Sequence, residues 1–342
     1  MSILNLKNPY DRVELTNAVL KAEYVPHELE LWLPWNAEGV PTRSIFVEVD
    51  VDGSLSLIDE ANPRSGKREY ADDTDRSGFT IRIPYYPQWD ALIAEATQGV
   101  RAFGSSSEAQ AYLIELAKKV EQMKKKNALQ REFVKAGGLQ SMIYKKDGTL
   151  SQNIHALAGT TATTHAFDLS DTTTDVIAEL IEAKEKAEDK LGAYQGLANG
   201  YMLIAGKNIH RKLSRHKSIQ SAFALWSASG AVGNQGSALR DDLRAGFPIT
   251  TDINLVSYSK GKIGNTFFLD PDKALLCPIV EGLYQTRYAP GTGKDVVNTI
   301  GIPEYAQIEP LGFNKGDELH MEMSVVSYLE RPEAIVEITS DE

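Results

Sequence analysis

Five stretches of this chain carry residue types that could do chemistry. Ala289-Pro-Gly-Thr-Gly-Lys-Asp295 is close to a phosphate-binding loop, in which backbone amides cradle phosphates and a lysine reaches their oxygens. The pattern needs Gly at 288 and Ser or Thr at 295, but Tyr288 and Asp295 stand there, so a mobile loop is expected. Glu48, Asp50, Asp52, Gly53 and Asp59 fit calcium-loop positions 1, 3, 5, 6 and 12. Their flanks alternate with period two, which makes strands where a calcium loop needs helices, so this is a solvated hairpin face.

The histidines and the cysteine offer less. His210 and His216 lie six apart on the basic segment Lys207–Lys217, so they face different ways and share no ligand geometry. That segment reads as a solvated face able to meet an acidic neighbour. His155 and His165 are separated by Gly and Thr with no carboxylate at ligand spacing, and His27 and His320 are isolated. Cys277, in Ala274-Leu-Leu-Cys-Pro278, has no histidine nearby and reads as a buried structural thiol. A single thiol allows no internal disulfide, which fits a reducing compartment. No HExxH, GxSxG, paired cysteines or dinucleotide fingerprint occurs. No catalytic residue, cofactor or metal site is expected, and the lack of such motifs favours a structural role.

With 342 residues, 42% of them hydrophobic and 24% charged, the chain can bury a full core in about two domains. A net charge of −11 argues against a nucleic-acid-binding surface, which needs Lys and Arg to replace condensed counterions. The run Lys124–Lys126 therefore reads as a solvated or interface face. Met1–Tyr10 lacks the charged start and apolar core of a signal peptide, and no run approaches the roughly 18 apolar residues of a membrane span. A soluble protein is expected.

The elements that must position these residues are legible from periodicity. Residues 43–57 alternate, with Ile45, Val47, Val49 and Val51 on one face, and Asp52-Gly53 marks a hairpin turn. Asp59–Gly78 is polar and charged, a length of structureless connection that is usually functional, before Phe79, Ile81 and Ile83 resume the alternation. Ser105-Ser-Ser-Glu108 caps a long helix, Ser105–Ala136, with a stripe at Leu113, Leu116, Val120 and Met123. Gly137-Gly138 is expected to end it, and a second hairpin turns at Asp147-Gly148. Thr160–Thr174 reads as a linker to a helix at Asp175–Leu191, with Val176, Ile177, Leu180 and Ile181 inward. A strand at Tyr201–Ala205, a helix at Ile209–Leu225, short strands across 247–287 and terminal strands at Met321–Ser327 and Ala334–Ile338 complete an α+β protein. A middle domain, about 170–300, is inserted into one built from both flanks.

Four segments in order resemble the lambda-type phage major capsid proteins, the capsid protein E family, which share the HK97-like capsid fold. They are Ile81-Arg-Ile-Pro-Tyr-Tyr-Pro-Gln-Trp-Asp-Ala-Leu92, Gln130-Arg-Glu-Phe-Val-Lys-Ala-Gly-Gly-Leu-Gln140, Leu203-Ile-Ala-Gly-Lys-Asn-Ile-His-Arg-Lys-Leu213 with Ser214-Arg-His-Lys217, and Tyr328-Leu-Glu-Arg-Pro-Glu333. The resemblance spans nearly the whole chain. Ser227–Gly236 and the loop 288–303 have no counterpart assigned.

The resemblance implies an N-terminal arm at 1–40, an extended E-loop hairpin at 41–84 and a P-domain from 85–169 and 304–342, with a spine helix at 105–136. It implies an inserted A-domain at 170–303. The function implied is that of a major capsid protein of a tailed double-stranded DNA phage, building hexamers and pentamers of an icosahedral head that expands on maturation. The E-loop residues Arg64, Lys67, Arg68, Asp72, Asp73 and Asp75 are the expected assembly contacts. Implied partners are other copies of the chain, a scaffolding protein encoded separately, a portal and, as a further candidate, a decoration protein. The shell encloses DNA without reading its sequence, touches no membrane and assembles in the host bacterial cytoplasm. Two other readings stay open: a cellular nanocompartment shell of the same fold, and an α+β enzyme with an unrecognised site.

Overall fold

The computed structural model describes residues 28–50, 76–97, 108–221, 247–259, 261–263, 266–296 and 298–340. The first elements are helix α1 (Glu28–Trp32), which buries Leu29 and Trp32, and strand β1 (Trp35–Gly39). The alternating segments form an antiparallel pair, β2 (Ser44–Asp50) with β3 (Arg76–Arg82), in a register that sets Val47 opposite Phe79. Val47, Phe79 and Ile81 are buried and Phe46 is exposed, the one-sided burial that a period of two requires. The expected turn at Asp52-Gly53 lies outside the described residues.

Strand β4 (Tyr85–Ile93) precedes α2 (Glu108–Leu139), whose 32 residues span about 48 Å. Its expected stripe holds at Leu116 and Met123, whereas Leu113 is exposed. Gly137 and Gly138 do not end the helix. They lie inside its last turn because two backbones pass close there. A Cβ on Gly137 would stand 2.6 Å from the Met142 carbonyl oxygen, and one on Gly138 2.6 Å from that of Ser327. The left-handed residue comes later, at Ser141, with φ 55°. The hairpin β5 (Met142–Tyr144) and β6 (Leu150–Asn153) follows, and Gly148 supplies its positive φ.

After the short helix α3 (Ile154–Ala158), the Thr-rich segment read as a linker contains a strand, β7 (Thr163–Phe167), that buries His165 and Phe167. Helix α4 (Val176–Leu191) is capped by the Asp175 carboxylate, which accepts from the Ile177 and Ala178 amides. Its inner face is Val176, Leu180, Ala183, Ala187 and Leu191, and Ile181 is exposed rather than inward. Strand β8 (Tyr201–Ala205) is buried at all five positions. Helix α5 (Lys207–Arg215) ends ten residues before the expected Leu225. His216 is extended there (ψ 138°), donating from Nε2 to the Asp171 carbonyl at 3.0 Å, before helical residues resume at 217–221.

The remaining strands are β9 (Phe247–Pro248), β10 (Ile253–Ser257), β11 (Lys262–Ile263), β12 (Thr266–Phe267), β13 (Lys273–Pro278), β14 (Tyr284–Tyr288), β15 (Tyr305–Pro310), β16 (Gly316–Leu329) and β17 (Val336–Ser340). They sort into two main sheets. In one, the 14-residue β16 pairs with β4 and β15 along its first part and with β14 along its last, and β1 lies parallel to β14. Leu319, Met321, Met323 and Val325 of β16 alternate onto α2, meeting Leu116, Met123 and Val134. Val326 and Tyr328 pack instead with the β2–β3 pair.

The other sheet has the order β7-β17-β13-β8-β10-β9 and is covered on both faces. Leu203, Leu276 and Ile338 face α4 and α5, while Met202, Ile204, Leu275 and Cys277 face α1 and the end of α2. Double coverage explains why β8 reads as an unbroken apolar run. Three strands lie across the expected domain lines. Thr163–Phe167 and the last strand, Val336–Ser340, join the six-stranded sheet, and Tyr284–Tyr288 joins the sheet under α2. Periodicity marks a strand and its buried face but not its hydrogen-bonding partner, so such crossings cannot be read locally.

Candidate assembly surfaces

Arg64, Lys67, Arg68, Asp72, Asp73 and Asp75 lie outside the described residues, and the structure describes the base that carries them. Along that base, Val47, Phe79, Ile81 and Ile83 pack with Ile143, Ile154, Ala289, Val326 and Tyr328. The Gln152 side chain clasps β3 as a strand would, accepting the Arg82 amide at 3.0 Å and donating to the Arg82 carbonyl at 2.9 Å. One face of the pair is thus fixed to the body. The other presents Phe46, 61% exposed.

The loop close to a phosphate-binding pattern binds an anion, but one from its own chain. Buried Glu322 of β16 accepts the Thr292 amide at 2.9 Å, the Thr292 hydroxyl at 2.6 Å and the Tyr85 hydroxyl at 2.8 Å. Gly291 is needed because a Cβ there would sit 2.3 Å from a Glu322 oxygen. Burial would raise Glu322, yet the bonds from Thr292 and Tyr85 outweigh it and hold the carboxyl below its usual value. Gly291 thus gives Glu322 the room to accept from Thr292, which fastens this loop to the sheet. The depressed value also sets a sign: the bonds stabilise fully above the unfolded carboxylate range and the contribution is lost as pH falls through the folded value. Glu322→Ala is expected to lose about 2 kcal/mol at pH 7 in urea unfolding of the unassembled subunit, and the deficit to shrink below pH 4.

Three charged side chains, Arg131, Glu132 and Lys135, are buried at the C-terminal end of α2. Arg131 pairs with Glu304, Lys135 pairs with Glu30 at 2.8 Å, and Glu132 accepts the Leu29 amide at 3.3 Å and the Tyr258 hydroxyl at 3.1 Å. These bonds tie α2 to α1, to the segment before β15 and to the six-stranded sheet. Burial pushes Glu132 up from 4.5 to about 7, despite its hydrogen bonds and nearby Lys135. The folded state thus holds this proton more tightly than the unfolded chain. Stability from this group is greatest below about pH 4.5, falls as pH rises toward 7 and then levels. Glu132→Gln, which keeps an acceptor for both donors, is expected to stabilise the subunit by about 1–3 kcal/mol at pH 8 and by much less at pH 5. Thermal unfolding at both pH values measures this. The signal available in the sequence was the pair of glycines just beyond, which marks close packing on every side of the helix end.

The structure brings together carboxylates and a histidine that sequence spacing kept apart. His165 Nε2 donates to Glu179 at 2.9 Å, and Glu182 lies 4.0 Å from Nδ1, so the three form a ligand-like cluster. Lys186 already holds the cation's place, donating to Nδ1 at 2.8 Å and pairing with Glu182 at 3.0 Å. Cys277 is fully buried, and burial drives its thiol well above the usual range, which suits packing and not attack. Glu48 lies in strand β2, so the calcium-loop spacing has no flanking helix there. His210 and His216 share no ligand set, and the basic segment lines an open groove of about 470 Å³ beside Leu169 and Thr172. No described helix is long and apolar enough to cross a membrane.

Comparison with known proteins extends the picture. The sequence model of the family described as phage major capsid protein E matches residues 11–340. The major capsid protein of Salmonella phage Felix O1 is 21% identical over 332 residues, covering 88% of each chain. Among solved structures, the mature capsid of bacteriophage PhiM1 covers 100% of this chain and 93% of its own, with 10% identity and a TM-score of 0.52. The capsid protein of an Escherichia coli CFT073 prophage, described there as putative, covers 97% of this chain and 99% of its own, with 13% identity and a TM-score of 0.51.

Proposed function

The chain belongs to the phage major capsid protein E family, and from that premise we propose that its copies build the hexamers and pentamers of a tailed-phage head that encloses double-stranded DNA. The protein is a structural component of a virion capsid, not an enzyme, and its fold is HK97-like. The observation that carries the reading is the extent of the family match, 11–340, which leaves no part of the described structure outside it.

Each subunit makes head-to-tail contacts that close into rings. The E-loop, 41–84, reaches over a neighbour through Arg64, Lys67, Arg68, Asp72, Asp73 and Asp75, and slides as the precursor shell expands. Residues 1–40 serve as the N-terminal arm, and α2 with the sheet of β16 as the spine and body of the P-domain. The six-stranded sheet with α4 and α5 forms the A-domain around each capsomer centre. Sheet membership supports drawing that domain from β7 through β13 with β17 added, in place of 170–303 alone. Exposed ion pairs contribute about 0–1 kcal/mol each, so shell stability rests on buried apolar area repeated over many interfaces. A scaffolding protein, a portal and a decoration protein complete the partners, and assembly takes place in the host bacterial cytoplasm. A net charge of −11 suits a container that must release its DNA.

Negative-stain imaging of the overproduced protein, in lysate and after purification, tests this. Closed icosahedral shells or capsomer rings are expected. A small, uniform oligomer under every condition would overturn the reading.

A further inference from the structure

Helices α4 and α5 lie on the same face of the six-stranded sheet, with α4 against β7, β17 and β13 and α5 against β13 and β10. Their outer faces carry opposite charge. Helix α5 with its C-terminal flank holds Lys207, Arg211, Lys212, Arg215 and Lys217 and no acid. The exposed side of α4 holds Glu182, Glu185 and Asp189, with Lys190 as the one exposed base on that helix. Arg211 and Arg215 stand four apart on one helix, as Glu185 and Asp189 do on the other. Among the described residues none of these four forms an ion pair, and all four are exposed. Like charges at this spacing repel along their own helix and weaken it. Along α5 and its flank no acid offsets the arginines, whereas on α4 Lys186 stands three residues before Asp189 and offsets part of its repulsion.

We infer that in the assembled ring the Arg211–Arg215 pair of one subunit docks on the Glu185–Asp189 pair of the next. This rests on the assembly reading above and names the residues of one ring contact. The two helices share β13 but extend from it toward opposite ends of the strand order β7-β17-β13-β8-β10-β9, the polarity that a head-to-tail contact needs. Both pairs have a spacing of about 6 Å along the axis, so the charges match one to one. The open groove of about 470 Å³ is lined by Leu169, Thr172, Asn208, Arg211, Lys212, Arg215, His216 and Lys217; Asp168 and Asp171 act on Lys212 and His216, which leaves Arg211 and Arg215 for an incoming carboxylate. Arginine adds planar donors that grip a carboxylate with two parallel bonds. The same guanidinium groups could take DNA phosphates. The acidic surface of a neighbouring copy is favoured, because the matching acidic pair is present on every subunit at the right spacing.

The test is a charge swap in the full chain, read by shell yield in sedimentation and negative stain. Folding is checked on the unassembled subunit by circular dichroism. Arg211→Glu with Arg215→Glu is expected to cut shell yield at least about tenfold, since a few weak pairs per contact become repulsive around every ring. Glu185→Arg with Asp189→Arg should do the same. The fourfold variant carrying both changes should recover most of the wild-type yield. The inference is overturned by wild-type yield from either double variant, or by a folded fourfold variant that still fails to assemble. It is equally overturned if the Arg211 and Arg215 variant forms normal shells but loses retention of DNA, which would make the groove a phosphate site. Wild-type protein that forms neither rings nor shells fails the assembly reading itself, and that result is seen before any variant is made.

Discussion

Removal of Asn62–Asp75 yields a folded subunit that cannot form shells. The expectation follows from what the base of the hairpin does without the deleted segment. Val47, Phe79, Ile81 and Ile83 are held against Ile143, Ile154, Val326 and Tyr328, and Gln152 clasps Arg82, all outside the deletion. The register still pairs Asp50 with Arg76, and residues 51–61 remain to close a shorter loop at lower entropic cost. Unfolding of the isolated subunit should therefore stay within about 0.5 kcal/mol of wild type. Assembly should fall below detection, because Arg64, Lys67, Arg68, Asp72, Asp73 and Asp75 go with the segment. Shells at wild-type yield from a folded deletion variant would remove the assembly role assigned to these six residues.

The second large effect is on stability. Arg131→Ala should cost about 3–5 kcal/mol, since it strands Glu304 in an environment where its residue is only 2% exposed. Burial already raises the Glu304 carboxyl, and Arg131 is what restrains that rise. Without the guanidinium the carboxyl holds its proton to higher pH, so the deficit should be largest at pH 8 and smaller at pH 5. Arg131→Met combined with Glu304→Gln removes both charges and should recover most of the loss. Urea unfolding of the two variants at both pH values measures this. Equal stability of Arg131→Ala and wild type at pH 8 would mean the pair adds nothing to the fold.

Much of this architecture could be read from local pattern. The alternation at Ile45–Val47 and Phe79–Ile83 set the exposed and buried sides of β2 and β3 because side chains on a strand alternate by geometry alone. The stripe Leu116–Met123 and the inner face of α4 follow from 3.6 residues per turn in the same way. Exposed Leu113 and Ile181 show the limit: a helix's apolar stripe is buried only where another element lies over it. The candidate site was legible at the level of charge, in the all-basic stretch Lys207–Lys217 and the acid-rich α4. It was not legible as a pair of matched faces. The loop at 289–295 shows why spacing misleads, since its Thr292 amide meets a carboxylate that lies thirty positions away.

Composition and periodicity alone settled that this is an α+β chain with a charged hairpin, one long helix and a lone buried thiol, and the ordered segments tied it to a capsid family. Only the tertiary structure decided that Thr163–Phe167 and Val336–Ser340 complete the sheet of the middle region and that Tyr284–Tyr288 leaves it. Likewise it decided that Arg131, Glu132 and Lys135 are interior charges. Burial on one element is a property of neighbouring residues, whereas strand partners and counter-ions are chosen across more than a hundred positions by which surfaces fold together.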